Sequence, residues 1–172
     1  AAPSCWRAWR PAGWRHSRGE VVFFTDSDCV PHPDWVRNIL PHFSDPAVGA
    51  VMGSYSLANP SRRLSTFIQS EIVYRHTHRL PRYPKVFGSY NVAVRRSVLD
   101  ETGGYAGGYR RASGEDNDLS YRLLRAGHKI YFEPRARVAH YHTGRLCRYL
   151  REQFRHGFWR ARMYRDHPAM MR

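Results

Sequence analysis

Segments with the pattern of β-strands alternate with segments of helical periodicity from residue 21 onward. The first strand pattern is a continuous run of Val and Phe, typical of a strand that is buried on both faces of a parallel sheet. This alternation predicts an α/β fold, and we find no internal repeat. The predicted strands are 21–24, 48–55, 90–94, 129–132 and 136–140, and the predicted helices are 33–40, 61–80, 96–102, 115–126 and 145–164.

The composition fits one packed domain of ordinary size. The 172 residues are 42% hydrophobic and 14% aromatic, which is enough to fill a core and excludes a mainly disordered chain. The apolar runs fall far short of the roughly 20 residues that a membrane-spanning helix needs. Cys5, Cys29 and Cys147 lack the paired spacing of zinc or redox motifs. We therefore expect reduced thiols and a cytoplasmic location.

Basic residues outnumber acidic residues by 28 to 14, which gives a formal net charge of +14. Such a chain attracts polyanions, and nucleic acid, anionic lipid and a diphosphate substrate all qualify. The arginines concentrate near both ends, whereas the middle of the chain holds most of the acids. We expect an irregular lead-in at 1–18, a central domain at 19–143, and a basic amphipathic helix with a tail at 144–172.

Asp26 and Asp28 follow directly on the first predicted strand. In an open α/β sheet ligands bind at the carboxyl edge of the strands, and the i, i+2 spacing lets two carboxylates reach one hard cation. The alternative is a polar turn that caps the helix near Pro33, and an isolated Asp-x-Asp motif favours that simpler interpretation. Further candidate ligands downstream in the sequence favour the interpretation as a cation site.

Two further acidic residues lie at the start of the helix predicted at 115–126. When the apolar stripe of this helix is continued toward the N-terminus, it includes Asp116 and Glu115. We therefore expect both side chains to lie on the helix face that points into the domain. The alternative is that they only complement the positive end of the helix dipole. Asp118 aligns with Arg122 one turn later, which predicts an exposed ion pair without a catalytic role.

His140 and His142 follow the last predicted strand, and their spacing brings both rings out on the same side. One imidazole can complete a metal site with the aspartates; the alternative is a polar strand end at the surface. The other histidines have no evident partner, and we expect them to be structural or solvated. They are His16, His32, His42, His76, His78, His128, His156 and His167.

The last predicted helix carries an apolar stripe between arginines, formed by Leu146, Leu150, Phe154 and Phe158. A basic, aromatic helix of this kind packs on its domain, binds phosphate, or lies on an anionic membrane surface. We expect packing on the domain, and we keep contact with a membrane surface as a hypothesis.

Five motifs follow one another along the chain, and their joint order is far more specific than any one of them. They are Gly-Glu-Val-Val-Phe-Phe-Thr-Asp-Ser-Asp at 19–28, Gly-Ser-Tyr-Asn at 88–91, Gly-Gly-Tyr at 103–105, Gly-Glu-Asp-Asn-Asp-Leu-Ser at 114–120 and Val-Ala-His at 138–140. In this order the chain closely resembles the family 2 glycosyltransferases, the large inverting group with the GT-A fold. The resemblance extends over residues 12–159 and implies a GT-A-like mixed sheet flanked by helices.

The resemblance also implies a reaction and its partners. A sugar would move from a nucleotide-diphosphate sugar, most commonly a UDP-sugar, to the hydroxyl of a glycan, a lipid-linked or a small-molecule acceptor. A divalent metal, Mn²⁺ or Mg²⁺, would assist, and no specific nucleic acid is expected.

Each site residue is implied by its match to a motif. The metal and the donor diphosphate fall on Asp26 and Asp28, with Asp28 the more direct ligand. The catalytic base falls on Asp116, with Glu115 beside it. The remaining matches are His140 as a metal ligand, His142 as its fallback, and Gly88, Ser89 and Asn91 in the donor or acceptor pocket.

Two features depart from the family pattern. The first strand-helix units, which hold the nucleobase, are not visible, so we expect an N-terminally truncated domain that binds nucleotide-sugar poorly and turns over little. Gln153, Arg155 and Trp159 do not hold the Gln-x-x-Arg-Trp spacing of processive members, which favours addition of single sugars. The alternatives are a basic, non-enzymatic module for nucleic acid or anionic membrane surface, and a degenerate catalytic domain kept as a scaffold.

Overall fold

A computed structural model describes residues 13–105, 114–166 and 168. The expected lead-in at 1–18 lies mostly outside these residues. The strands are β1 (Val21–Thr25), β2 (Cys29–Pro31), β3 (Val48–Leu57), β4 (Asn91–Arg95) and β5 (Lys129–His140). The main helices are α1 (Trp35–Ile39), followed by a 3₁₀ turn at Leu40–Ser44, α2 (Arg63–His78), α3 (Arg96–Thr102), α4 (Glu115–Arg125) and α5 (Leu146–Asp166).

The strands form one mixed sheet in the order β1-β4-β3-β5-β2. β3 and β5 run parallel, and the other neighbouring pairs are antiparallel. β1 lies at an edge of the described sheet and pairs with β4 alone, so the expectation of a strand buried inside a parallel sheet is wrong. Only Val22 of β1 is buried, since the strand has a neighbour on one side only.

β5 is one continuous strand of 12 residues, so the two short strands expected at 129–132 and 136–140 are joined. The ladder with β3 shifts register at Gly53 and Ser54, opposite the segment of β5 that contains Pro134. Proline lacks the N–H that a regular ladder needs, and a bulge lets the strand continue past it.

The side chain of Asn91 fills this bulge and is fully buried. Its Nδ2 donates to the carbonyl oxygens of Ser54 and Ala136 at 2.8 Å each, and its Oδ1 accepts from Trp35 Nε1 at 2.7 Å. A Cβ on Gly53 would overlap the Ala136 carbonyl and the Asn91 amide. Glycine is therefore required where the amide crosses β3.

Helices cover both faces of the sheet. On one face Val94 of β4 packs with Leu99 of α3 and Leu119 of α4, and on the other Val51 of β3 packs with Ile39 of α1. All five side chains are fully buried, and each stabilises the fold by roughly 1.5–3 kcal/mol. The expected α/β architecture is confirmed.

α4 ends near its predicted boundary, and Gly127 beyond it adopts a left-handed φ of 87°. Asp118 and Arg122 pair at 2.6 Å, but the pair is not at the surface, because the side chain of Asp118 is only 11% exposed. The expectation of an exposed pair is wrong, since α4 packs against α3. Arg122 also donates to the carbonyl oxygens of Thr102 and Gly104, and it thereby ties α4 to the end of α3.

α5 leaves its apolar stripe exposed. Leu146, Leu150, Phe154 and Phe158 are 55–78% exposed, so the expected packing on the domain is wrong. Residues on the opposite side of α5 line a cleft. Within the described residues, no helix combines the length and the apolar character needed to cross a membrane.

Candidate active site

A cleft of about 1200 Å³ is lined by α2, α4 and α5 and by the segments that follow β1 and β5. It brings together residues that are far apart in the sequence. All but one of the residues predicted for the site line it. They are Asp26, Asp28, Gly88, Ser89, Glu115, Asp116, His140 and His142.

The pairing of β2 with β5 places Asp28 beside His140. Cys29 stands opposite His140 in the antiparallel register, and the Tyr141 N–H donates to the Asp28 carbonyl at 3.1 Å. Asp28 Oδ2 consequently lies 3.5 Å from His140 Nε2. Both atoms can reach one cation through bonds of roughly 2.0–2.2 Å.

Cys29 is a third donor that the sequence analysis missed. In the part of the chain that the structure describes, the donor atoms of Asp28, Cys29 and His140 all lie within 4.8 Å of one another. Burial, together with the carboxylates of Asp26 and Asp28, raises the pKa of the Cys29 thiol to about 12. The thiol therefore keeps its proton unless a cation takes that place. The only feature of the sequence that points to Cys29 as a metal ligand is its position directly after Asp28.

This donor set fits a divalent cation. Carboxylate and imidazole ligands suit Mn²⁺, and a thiol adds affinity for softer ions. The Asp28 side chain is 55% exposed, which leaves room for water or a diphosphate oxygen. Asp26 lines the same cleft but is not part of the three-residue group.

His142 lies behind His140. Its Nδ1 is 2.9 Å from His140 Nδ1, and its Nε2 is 3.1 Å from Gln69 Oε1. Burial, with a smaller effect of His140, lowers the pKa of His142 to about 4. To serve as the fallback metal ligand, this buried ring would have to give up one of its two hydrogen bonds.

An aromatic surface adjoins the proposed ligands. The rings of Tyr55 and Tyr90 stack with centroids 3.8 Å apart, and the His140 ring lies 5.1 Å from Tyr55. A Cβ on Gly88 would overlap the Tyr90 ring, so this neighbour of the tyrosine must be glycine. Burial raises the pKa of the Tyr55 hydroxyl, which stays protonated. Such a surface can pack against a sugar ring or a base.

Asp116 is held by Ser89 at the beginning of α4. Its Oδ2 accepts hydrogen bonds from the backbone N–H and the Oγ of Ser89, at 3.0 and 3.1 Å. Ser120 Oγ donates to the Asp116 carbonyl at 2.6 Å, which also fixes the backbone. Glu115 is more deeply buried, with 5% exposed. Both acids reach the cleft, and Asp116 is the more accessible of the two.

Asn91 is the predicted site residue that does not line the cleft. It is fully buried, and its amide makes the three hydrogen bonds that hold the bulge of β5. We therefore assign it a structural role in place of the expected donor contact.

Several histidines have partners that the sequence did not reveal. Each lies far in the sequence from its partner, so only the folded chain brings the two together. The pairs are His32 with Ser56, His42 with Glu133, His76 with Ser54, and His128 with Glu101.

Arginines give the cleft a strongly basic wall. A guanidinium is planar, stays charged and matches the oxygens of a phosphate group. This wall faces the same space as the carboxylates, so the cleft can hold a cation and an anionic group together. The arginines are Arg62 and Arg75 on or next to α2, and Arg145, Arg148, Arg151, Arg155 and Arg160 on or next to α5.

The sequence profile of a family described as Glycosyltransferase like family 2 matches residues 10–158. The pre-mycofactocin glycosyltransferase of Mycobacterium tuberculosis is 31% identical over 155 residues, which are 87% of this chain and 33% of that protein. The probable glycosyltransferase YdaM of Bacillus subtilis is 30% identical over 132 residues, or 73% of this chain and 31% of YdaM. The chain thus spans about a third of the length of these curated relatives.

Two solved structures share the fold. The mannosyltransferase PcManGT from Pyrobaculum calidifontis, in complex with GDP-Man and Mn²⁺, superposes with a TM-score of 0.52 and 21% identity, over 76% of this chain and 34% of that one. GalNAc-T7 with UDP, GalNAc and Mn²⁺ superposes with a TM-score of 0.58 and 15% identity, over 79% of this chain and 30% of that one. At these identities the likeness concerns the fold alone, and it confirms the expected GT-A architecture.

Proposed function

Because this chain belongs to the family Glycosyltransferase like family 2, we propose that it transfers a sugar from a nucleotide-diphosphate sugar to an acceptor hydroxyl, with inversion and with a divalent metal. One observation carries the proposal: Asp28 Oδ2 and His140 Nε2 lie 3.5 Å apart, in the cleft that Asp116 also lines. The chain spans about a third of its relatives' length, so the proposal concerns the chemistry that these residues carry.

Asp116 is the proposed general base. A base must lie within about 2.6–3.2 Å of the hydroxyl that it deprotonates, and the two hydrogen bonds from Ser89 hold the carboxylate in one orientation. Asp116 takes the proton as the acceptor oxygen bonds to the anomeric carbon and the bond to the diphosphate oxygen breaks. Attack on the face opposite the leaving group inverts the anomeric centre.

Asp28 and His140 are the proposed metal ligands, with Asp26 and Cys29 beside them. When bound, Mn²⁺ or Mg²⁺ neutralises the negative charge that develops on the leaving diphosphate. Arg148 and other arginines of the cleft wall supply further donors for phosphate oxygens.

The donor and acceptor are proposed by class. A UDP-sugar is the first candidate donor, on the family resemblance. Gly88, Ser89 and Tyr55 line the cleft where the sugar or the acceptor would lie. The acceptor is a hydroxyl of a glycan, a lipid-linked or a small molecule. The absent Gln-x-x-Arg-Trp spacing at 153–159 supports addition of single sugars.

The test is the binding of UDP and GDP with and without Mn²⁺, measured by calorimetry. Asp28→Asn should abolish the Mn²⁺-dependent part of the binding and leave the circular dichroism spectrum unchanged. Asp34→Asn, at an exposed aspartate outside the cleft, is the matched control and should bind like the unaltered chain. Undiminished Mn²⁺-dependent binding by Asp28→Asn would contradict the proposed site.

A second variant separates binding from chemistry. Asp116→Asn should bind nucleotide like the unaltered chain but lower any transfer rate by about 10²–10⁴-fold, the usual contribution of a general base. Asp100→Asn, at an exposed position of α3, is its control. Equal transfer by Asp116→Asn and the control would exclude Asp116 as the base.

The nucleic-acid alternative makes a different prediction. A basic module would bind DNA or RNA with strong salt dependence, and Asp28→Asn would not affect it. The convergence of carboxylates and an imidazole in one cleft is not needed for such a module, so we rank it second.

A further inference from the structure

A chain of hydrogen bonds runs from α2 to the proposed metal ligands. Gln69 Nε2 donates to the Tyr55 carbonyl at 3.1 Å, and Gln69 Oε1 lies 3.1 Å from His142 Nε2. His142 Nδ1 in turn lies 2.9 Å from His140 Nδ1. The outer nitrogen of His140, Nε2, faces Asp28 Oδ2 at 3.5 Å.

The partners of Gln69 fix the orientation of its amide. A carbonyl oxygen can only accept, so the NH₂ group of Gln69 must face Tyr55, and the amide oxygen must face His142. This oxygen can only accept as well. The proton of His142 therefore lies on Nε2.

The tautomer of His142 determines that of His140. The His142 ring is buried, with 7% exposed, and its hydrogen bonds are to the neutral Gln69 amide and to another imidazole, so the neutral ring fits the site. A neutral ring with its proton on Nε2 carries a lone pair on Nδ1. His140 Nδ1 must then hold the proton that this contact needs. The lone pair of His140 is left on Nε2, directed toward Asp28.

We infer that Gln69 and His142 are positioning residues, which set the tautomer of His140 so that Nε2 is available as a ligand beside Asp28. The inference deepens the proposed function and rests on it for the metal. His140 Nε2 and Asp28 Oδ2 are both acceptors, and only a proton or a cation can lie favourably between them. Partners behind metal-bound histidines commonly fix the ring in this way, and their loss costs about 10–100-fold in metal affinity.

The first test measures the tautomers without metal. Nitrogen-15 NMR of the histidine rings distinguishes protonated from unprotonated ring nitrogens. In the unaltered chain we expect His142 to be protonated at Nε2 alone and His140 Nδ1 to be protonated. Gln69→Leu removes the acceptor for His142 Nε2–H, so part of the His142 population should move its proton to Nδ1.

The second test measures Mn²⁺ affinity by calorimetry on the same proteins. Gln69→Leu should weaken Mn²⁺ binding by about 10–100-fold. His142→Phe, which keeps an aromatic ring but removes the acceptor for His140 Nδ1–H, should do the same and serves if Gln69→Leu does not fold. Asn38→Leu removes a side-chain amide that lies outside the cleft and should bind Mn²⁺ like the unaltered chain.

The outcomes separate this inference from the proposed function. A proton on His142 Nδ1 in the unaltered chain, or Gln69→Leu that changes neither tautomer nor Mn²⁺ affinity, would overturn the inference while leaving the metal site standing. The expected tautomers in a chain that binds no Mn²⁺ would instead support the hydrogen-bond relay and contradict the proposed metal site.

Discussion

At the scale of single residues, the amide of Asn91 connects three parts of the fold. It bonds to Trp35 of α1, to Ser54 of β3 and to Ala136 of β5. A buried amide is favourable only when its hydrogen bonds are complete. Asn91 lies two residues after Ser89, which holds the proposed base, so the network also fixes one side of the cleft.

Asn91→Leu conserves most of the volume but leaves the Trp35 N–H and two carbonyl groups without their partner. Each unsatisfied buried group costs about 1–3 kcal/mol, so we expect the free energy of unfolding to fall by about 3 kcal/mol or more. Urea denaturation measures it. Asn38→Leu removes one surface hydrogen bond to Arg135 and should cost less than about 1 kcal/mol. Equal losses would show that the network is not needed.

Cys29 offers a test of which cation the site prefers. Cys29→Ser replaces a soft donor with a hard one, so the affinity for Cd²⁺ should fall while that for Mg²⁺ changes little. Loss of an outer-sphere partner alone costs about 10–100-fold, so we expect at least a tenfold loss for Cd²⁺. Cys147→Ser, at an exposed thiol, is the control. If calorimetry gives both variants the same Cd²⁺ affinity, the Cys29 thiol is not a ligand.

At the scale of secondary-structure elements, α4 is joined to the end of α3 by hydrogen bonds from one arginine to backbone carbonyls, and an ion pair within α4 holds that arginine. Arg122 binds Asp118 on its own helix and the carbonyls of Thr102 and Gly104 at the end of α3. The sequence spacing predicted the pair but not its burial. Helical spacing reports which side chains are neighbours on one helix, whereas the approach of a second helix is a tertiary property.

Asp118→Asn should lower the free energy of unfolding by about 1–3 kcal/mol, because it leaves the Arg122 guanidinium partly buried without its counter-charge. Glu71→Gln breaks a pair of the same spacing with Arg75, where both side chains are about half exposed, and should change stability by less than about 0.5 kcal/mol. Thermal unfolding of the two variants compares them directly. A smaller effect for Asp118→Asn than for Glu71→Gln would contradict the structural role.

At the scale of the whole molecule, α5 separates two surfaces of different chemistry. One side of the helix lines the cleft with Arg148, Arg155 and Arg160, and the other exposes the apolar stripe that includes Leu150 and Phe154. The chain also carries a net charge of +14. On an anionic membrane surface the apolar stripe would insert between the lipids, and the negative lipid headgroups would attract the positive charge of the chain. The cleft would stay open on the opposite side of the helix.

Flotation with vesicles of phosphatidylglycerol and phosphatidylcholine tests this contact. The unaltered chain should float with anionic vesicles, and the double variant Leu150→Ser, Phe154→Ser should lose most of this binding. Phe67→Ser removes a phenylalanine of similar exposure from α2 and should float normally. Absence of enrichment on anionic over neutral vesicles would exclude the membrane contact of α5.

The sequence by itself determined the main strands and helices, except for the short strand β2 and the continuity of β5, and it determined most of the residues that reach the cleft. Periodicity and turn residues act between near neighbours, so the strand before Asp28, the helix that begins at Glu115 and the strand before His140 are all legible in the chain. The ordered motifs also identified the family and its GT-A fold. Periodicity joins near neighbours, and the motifs follow one another in a fixed order along the chain. Both can therefore be read without knowing the fold.

Only the tertiary structure decided which of these groups meet. The pairing of β2 with β5 brings Cys29 to His140, and the packing of α2 places Gln69 behind His142. The same long-range packing buries Asn91 in the bulge of β5 and leaves the stripe of α5 exposed. Such contacts join residues far apart in the chain, and their energies depend on surfaces that exist only once the sheet has formed.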